Sequence, residues 1–129
     1  MLRWDDKYAL GHERIDAEHR IFLGLIVDFR EAAERGEGRH KLARILNEIC
    51  KYAEFHFVSE ENLMADGDYP EREQHARLHA QLLSELNDIC WRFRSEQVAP
   101  AQVFDFLFQW FALHTTSEDR KLVGYLKPA

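Results

Sequence analysis

Apolar side chains recur at intervals of three and four residues in four long segments of the chain, which predicts four amphipathic helices. We expect these helices over about residues 16–35, 39–65, 70–94 and 100–123. Asp16 is a plausible N-cap for the first helix, and proline opens the third and fourth helices, where it suits the first turn. No segment alternates apolar and polar residues convincingly over four or more positions, so no strand is predicted.

The connections between the predicted helices are short, and a short connection cannot return the chain to the far end of a helix. Consecutive helices are therefore expected to be antiparallel neighbours in an all-α, up-down-up-down four-helix bundle. Residues 1–14, with Trp4, Tyr8 and Leu10, are expected to form an N-terminal arm that packs on the bundle. A length of 129 residues predicts one domain, spanning residues 1–129.

Composition and charge narrow the range of partners. With 17 basic and 23 acidic side chains the formal charge is −6, which argues against nucleic acid and against an anionic membrane surface. No apolar run is long enough to span a membrane, and the charged N-terminal segment does not resemble a signal peptide. Cys50 and Cys90 form no CxxC motif and are interpreted as free thiols. These features favour a cytoplasmic location.

Polar residues occupy positions where the helical periodicity calls for apolar ones. One such residue lies on the first helix, two on the second, two on the third and one on the fourth. The pairs on the second and third helices are four residues apart, so their side chains share a face. The residues predicted to face the interior are His19, His56, Glu60, His75, His79 and His114.

Such a set of buried polar groups points to bound metal. The alternative is that neighbouring hydrogen bonds satisfy each histidine. An unpaired buried polar group costs roughly 1–3 kcal/mol, however, and five of them would cancel a typical stability of about 5–15 kcal/mol. A metal would give each imidazole a partner and Glu60 a counter-charge. The number of ligands predicts two ions, and imidazole with carboxylate suits iron, zinc or manganese.

These motifs together resemble the hemerythrin family, and specifically its bacterial single-domain form. The spacings HxxxE, HxxxH and HxxxxD, in that order after an IDxxH start, are highly specific in combination. The resemblance extends over essentially the whole chain. The segments that carry it are Ile15 to His19, His56 to Met64, Tyr69-Pro70 followed by His75 and His79, and Trp110 with His114 and Asp119.

The resemblance implies a non-heme di-iron centre that binds O2 reversibly for storage, delivery or sensing. It implies two bridging carboxylates, a third oxo or hydroxo bridge, and one open iron position. The implied ligands are His75, His79 and His114 on one iron, His19 and His56 on the other, and Glu60 and Asp119 between them. An O2 pocket is expected among Phe22, Phe57, Trp110, Phe111 and Thr115.

Asp119 is assigned by the resemblance and not by periodicity. It follows His114 by five residues, about 140° around an ideal helix. Either the helix widens there, as a π-bulge would allow, or the side chain reaches around. Glu118, four residues after His114, is the competing ligand.

Several further positions leave alternatives open. Thr115 stands where the family usually has an apolar residue that shields bound oxygen. Its hydroxyl either admits water or a proton to the pocket, or bonds back to the carbonyl of Phe111. In the first case the Thr115→Ile variant should autoxidise more slowly.

His12 is either an extra ligand or proton relay, or a half-exposed residue of the arm. Glu61 is interpreted as a solvated neighbour of Glu60, and His40 as surface.

An oxygen-binding protein is favoured over the alternative, a di-iron oxidase or peroxidase. Oxygen-activating bundles of the ferritin type use mostly carboxylates, whereas this set has five nitrogens and two carboxylates. Fewer anionic ligands stabilise high-valent iron less, so an enzyme is not predicted, and weak oxidase or peroxidase activity is left open. Any signalling output would need a separate partner, and we expect a monomer or a weak oligomer.

Overall fold

Helices dominate the structure, a computed structural model that describes residues 4–113 and 117–126. A short 3-10 turn, Asp6–Tyr8, precedes the first helix, and no strand occurs in the described residues. The helices are α1 (Glu13–Glu34), α2 (Arg39–Asp66), α3 (Arg72–Arg94), α4 (Pro100–Leu113) and α5 (Asp119–Leu126). Helix α1 contacts α2 and α4, and α3 contacts the same two helices, so four helices close a ring. The predicted all-α bundle is confirmed.

The first helix begins three residues before the predicted start. His12 is its N-cap, because the Nδ1 atom accepts a hydrogen bond from the backbone N–H of Ile15 at 3.2 Å. The carboxylate of Asp16 instead accepts from the backbone N–H groups of Leu10 and Gly11, at 2.8 and 3.0 Å. Asp16 therefore ties the arm to α1, and the half-buried His12 is a capping residue.

The segment predicted as the fourth helix contains two described helices and a π-helical turn. Helix α4 ends at Leu113, Ser117 and Glu118 form a π-helical turn, and α5 begins at Asp119. The hydroxyl of Ser117 donates to the carbonyl of Leu113 at 2.7 Å. A π-helical turn directly before Asp119 agrees with the helix widening considered for that residue. Residues 114–116, which include His114 and Thr115, lie outside the described part of the chain.

Two apolar clusters flank the polar residues of the core. The larger cluster includes Phe22, Phe57 and Trp110 and contains residues from each of the helices α1, α2, α3 and α4. The smaller cluster joins α5 to the start of α1 and the end of α2; its buried members are Leu10, Ile15, Met64, Tyr69, Leu122 and Val123. Phe57 contacts His79 and Tyr69 contacts His75, so the histidines lie between the two clusters.

The two cysteines form a disulfide between α2 and α3, so the prediction of free thiols is wrong. Cys50 and Cys90 are 40 residues apart, and only the packing of the two helices brings them together. This pairing removes one of the arguments for a cytoplasmic location. Among the described residues, no helix has both the length and the apolar character needed to cross a membrane.

Candidate metal centre

Six buried side chains form two adjacent groups that could hold metal ions. Within each group the candidate ligand atoms lie within 4.8 Å of one another. Glu60 and Asp119 belong to both groups. One group adds His19 and His56, from α1 and α2, and the other adds His75 and His79, from α3.

In the first group the inward nitrogen and oxygen atoms lie close to one another. The Nε2 atoms of His19 and His56 are 3.1 Å apart. His19 Nε2 lies 2.8 Å from Asp119 Oδ2, and His56 Nε2 lies 2.9 Å from Glu60 Oε2. Both inward nitrogens therefore face a carboxylate oxygen and each other.

The second group uses the other oxygen of each carboxylate. Glu60 Oε1 lies 3.0 Å from His79 Nε2 and 3.4 Å from His75 Nε2. Asp119 Oδ1 lies 3.3 Å from His75 Nε2. Each carboxylate thus has one oxygen toward each histidine pair, which is the placement a bridging ligand requires.

Two further carboxylates hold the outer nitrogens of two histidines. His56 Nδ1 lies 2.7 Å from Glu18 Oε1, and His79 Nδ1 lies 2.9 Å from Glu61 Oε2. An ionised carboxylate can only accept, so each Nδ1 carries the proton and donates. Such contacts fix the ring orientation and the tautomer of a histidine ligand.

These outer carboxylates correct the sequence analysis. The contact with His79 shows that Glu61 is more than a solvated neighbour of Glu60. Glu18 has no role that the sequence pattern predicts, although it is buried and also accepts a hydrogen bond from the hydroxyl of Ser59 at 2.7 Å. The only signal in the sequence was its position beside His19, where an acidic residue lies at the edge of an apolar stripe.

The donor chemistry of these groups fits a transition metal. With the proton on Nδ1, a neutral His56 or His79 presents a lone pair at Nε2. That lone pair faces a carboxylate oxygen, which also carries lone pairs, across 2.9 or 3.0 Å. Such a contact needs a second proton on the ring or a cation between the two atoms. Imidazole nitrogen with carboxylate oxygen is a common donor set for iron, zinc and manganese.

Without metal, protons would take the place of a cation at three of the histidines. Burial alone would lower the pKa values of His19, His56 and His75, but the surrounding carboxylates outweigh it. The pKa of His75 is raised to about 9 by hydrogen bonds to Asp119 and Glu60. The pKa of His19 is raised by the same two carboxylates, and that of His56 is raised well above its ordinary value, chiefly by Glu60. The carboxylates thus favour positive charge at the imidazoles.

Aromatic rings cover one side of the candidate centre. The ring of Phe57 stacks on His79, with centroids 3.9 Å apart and planes 9° apart. Phe111 meets the ring of His19 edge-on, with centroids 5.8 Å apart. Phe22 stacks on both Phe111 and Trp110. Four of the five predicted pocket residues are therefore buried together beside the histidines, and the fifth, Thr115, lies outside the described residues.

A family model for the hemerythrin HHE cation binding domain matches residues 10–126. The chain belongs to the hemerythrin family. Among the described residues, those predicted as metal ligands are brought together by the fold, and His114 is outside the described part.

The hemerythrin-family relatives match over nearly the whole chain. A bacteriohemerythrin from Stenotrophomonas maltophilia is 24% identical over 127 residues, which are 98% of this chain and 82% of that protein. A bacteriohemerythrin from Clostridium acetobutylicum is 26% identical over 132 residues, covering 95% of this chain and 99% of its own. A myohemerythrin from Theromyzon tessulatum is 23% identical, covering 96% of this chain and 92% of its own.

Proposed function

We propose that this hemerythrin-family protein holds two iron ions in a non-heme centre and binds O2 reversibly, for storage, delivery or sensing. The observation that carries the proposal is the position of Glu60 and Asp119. Each is buried and directs one oxygen to each of two histidine pairs. A single structural ion would need only one such group, whereas two shared carboxylates suit a pair of ions.

The proposed ligands follow the predicted set. His19 and His56 would hold one iron, and His75 and His79 would hold the other together with His114, which is assigned by its spacing alone. Glu60 and Asp119 would bridge the pair. Glu61, whose oxygen contacts the outer nitrogen of His79, would support a ligand without being one.

When bound, two ferrous ions would supply the electrons for reversible O2 binding. The residues of the chain supply the surroundings. Phe22, Phe57, Trp110 and Phe111 form an apolar wall, which excludes water and so disfavours the charge separation of autoxidation. Glu18 and Glu61 accept from the outer nitrogens of two histidine rings, which would leave the inward nitrogens free to bind the metal once it displaces any proton there.

Binding is favoured over oxidase or peroxidase chemistry by the donor set. The described part of the centre has four imidazoles and two shared carboxylates. Oxygen-activating di-iron bundles use mostly carboxylates, whose negative charge stabilises high-valent iron. We therefore propose a binding protein, and a signalling role would require a separate partner.

The test is anaerobic reconstitution with ferrous iron, followed by metal analysis and an O2 titration watched by visible spectroscopy. Two irons per chain and a charge-transfer band that disappears on deoxygenation are expected. Metal-free protein treated in the same way is the control. One ion per chain, or steady consumption of O2 and an added reductant, would contradict a reversible carrier.

A further inference from the structure

One polar opening leads from the surface to the candidate centre. Its volume is about 230 Å³. The outer residues Glu71, Gln74 and Lys121 are exposed and Glu118 is half-buried, whereas the two remaining residues are buried. The lining residues are Tyr69, Glu71, Gln74, His75, Glu118 and Lys121. The opening therefore ends at His75, whose Nε2 lies near both shared carboxylates.

Other approaches to the centre are less suitable for an ion. Phe57 covers His79, and Phe111 lies against His19. A divalent cation that crossed these rings would lose its hydration without gaining a polar partner, which is costly. Three larger openings, beside Arg39 and Phe93, beside Arg30 and beside Pro70, are lined by residues outside the metal-capable groups.

The opening also carries negative potential. Glu71 and Glu118 lie on its walls, and Lys121 reaches within 3.6 Å of Glu118. The hydroxyl of Tyr69 donates to Glu71 at 3.2 Å. An approaching cation would be attracted to this wall, and the outermost anionic oxygens would replace part of its hydration.

We propose that this opening is the port through which ferrous iron enters and leaves the centre. The proposal rests on the proposed function. Glu71 and Glu118 attract the hydrated cation, and Lys121 weakens that attraction. His75, at the inner end, is the first buried ligand that the cation meets. The port acts on the rate of metal transfer, and the final metal content is decided by the ligands further inside.

The test uses Co²⁺ alone, added to metal-free protein at low ionic strength, with uptake followed by visible absorbance in a stopped-flow instrument. The Glu71→Gln/Glu118→Gln variant should take up Co²⁺ about tenfold more slowly, because electrostatic steering of a cation is lost. Lys121→Gln should take it up about threefold faster for the same reason. Added salt should shrink both differences. Both variants should still bind two ions at equilibrium.

A matched control separates this effect from the general charge of the protein. Glu54→Gln removes a carboxylate that is 45% exposed and lies 3.7 Å from a lysine three residues away. Glu118 is 36% exposed and has the same arrangement at 3.6 Å. Because Glu54 lies on α2 and does not line the opening, its replacement should leave the uptake rate unchanged.

Three results would count against the port. Equal uptake rates in wild type, the double variant and Lys121→Gln would overturn it, as would an equal slowing in Glu54→Gln. A loss of equilibrium Co²⁺ content in the double variant would place Glu71 or Glu118 among the ligands. If wild type binds no Co²⁺ at all, the proposed metal function fails instead. The two variants are expected to change the rate of Co²⁺ uptake in opposite directions. Either variant therefore tests the proposal if the other does not fold.

Discussion

At the scale of single residues, the outer carboxylates Glu18 and Glu61 decide how two of the histidines present their nitrogens. Both accept from an Nδ1 atom, at 2.7 and 2.9 Å. Glu18 is the more buried of the two and accepts two more hydrogen bonds, from Ser59 and from Arg14. Burial opposes the charge on Glu18, yet its hydrogen bonds to His56 and Ser59 bring its pKa below the ordinary value. Glu18 therefore stays ionised at neutral pH.

Replacing Glu18 by Gln should weaken metal binding without removing a ligand. The amide keeps the size of the side chain but loses the charge that makes His56 a better donor. Loss of such an outer partner typically costs about 10–100-fold in metal affinity. The affinity for Co²⁺, measured by competition with a chelator of known strength, checks this. An unchanged affinity for Co²⁺ would show that Glu18 packs against His56 without strengthening it as a metal ligand.

Adjacent residues of α2 provide a second prediction. Glu60→Ala should reduce the metal content to one ion per chain or none, because a proposed shared ligand is lost. Glu61→Ala should retain two ions with lower affinity, because only the outer contact to His79 is removed. Metal analysis after anaerobic loading of both variants is the measurement. The reverse result would exchange the proposed roles of Glu60 and Glu61.

Periodicity predicts some of these residues and not others, for physical reasons. His56 and His79 occupy core positions of regular helices, where their spacing alone shows which way they point. Asp119 follows a π-helical turn, which periodicity cannot anticipate, so only the family resemblance identified it. Glu18 depends on a contact with a residue 38 positions away on another helix, and no local pattern encodes that contact.

At the scale of the elements, α5 is the one that needs outside support, because eight residues are too few for a stable isolated helix. Leu122 and Val123 bury its inner face in the smaller apolar cluster. The hydroxyl of Tyr125 donates to the carbonyls of Gly67 and Asp68, at 2.8 and 3.1 Å. These contacts attach α5 to the turn after α2 and thereby place Asp119.

Tyr125→Phe should loosen this attachment. The ring keeps its packing, and the lost hydrogen bonds should lower the free energy of unfolding by about 0.5–1.5 kcal/mol. Urea denaturation of the metal-free protein measures the change. Loaded protein should also release Co²⁺ to a chelator faster than wild type. Equal stability and equal release would show that the hydroxyl bonds do not hold α5.

The disulfide is a second link between elements, and it joins α2 to α3. Thiol titration of the unfolded protein without reductant should detect no reactive cysteine, and titration after reduction should detect two. Reduction should also lower stability by roughly 2–4 kcal/mol, as is typical when a cross-link is opened. Two titratable thiols before reduction would contradict the pairing of Cys50 with Cys90.

The helices themselves are the most predictable part of the fold, since their apolar stripes are long. Their ends were less predictable. Asp16 has the composition of an N-cap, but its carboxylate bonds to the arm while His12 caps α1. The π-helical turn at Ser117 and Glu118 has no signal in the apolar pattern, because Leu122 and Val123 continue the apolar character of the segment beyond it.

At the scale of the whole molecule, the metal-free protein should lose stability as the pH rises. The pKa of His75 is about 9 in the folded chain, and an exposed histidine titrates near 6.5. A raised pKa means that the folded state binds the proton more tightly. The resulting stabilisation is complete below about pH 6.5 and is lost as the pH passes through about 9.

Urea denaturation of chelator-treated protein at pH 6.5 and pH 9 measures this dependence. The midpoint should be lower at pH 9. Protein loaded with metal should behave in the opposite way, because metal and protons compete for the same imidazole nitrogens. A midpoint in the metal-free protein that is equal or higher at pH 9 would contradict the predicted protonation.

The contact between His19 and Asp119 spans 100 residues of sequence. During synthesis the chain emerges from its N-terminus, so both histidines of α1 and α2 are available long before the second shared carboxylate is made. A ribosome-bound chain that stops before Asp119 can offer a metal only an incomplete site. Stable loading of the proposed centre would therefore wait for α5, which brings Asp119 to the other candidate ligands.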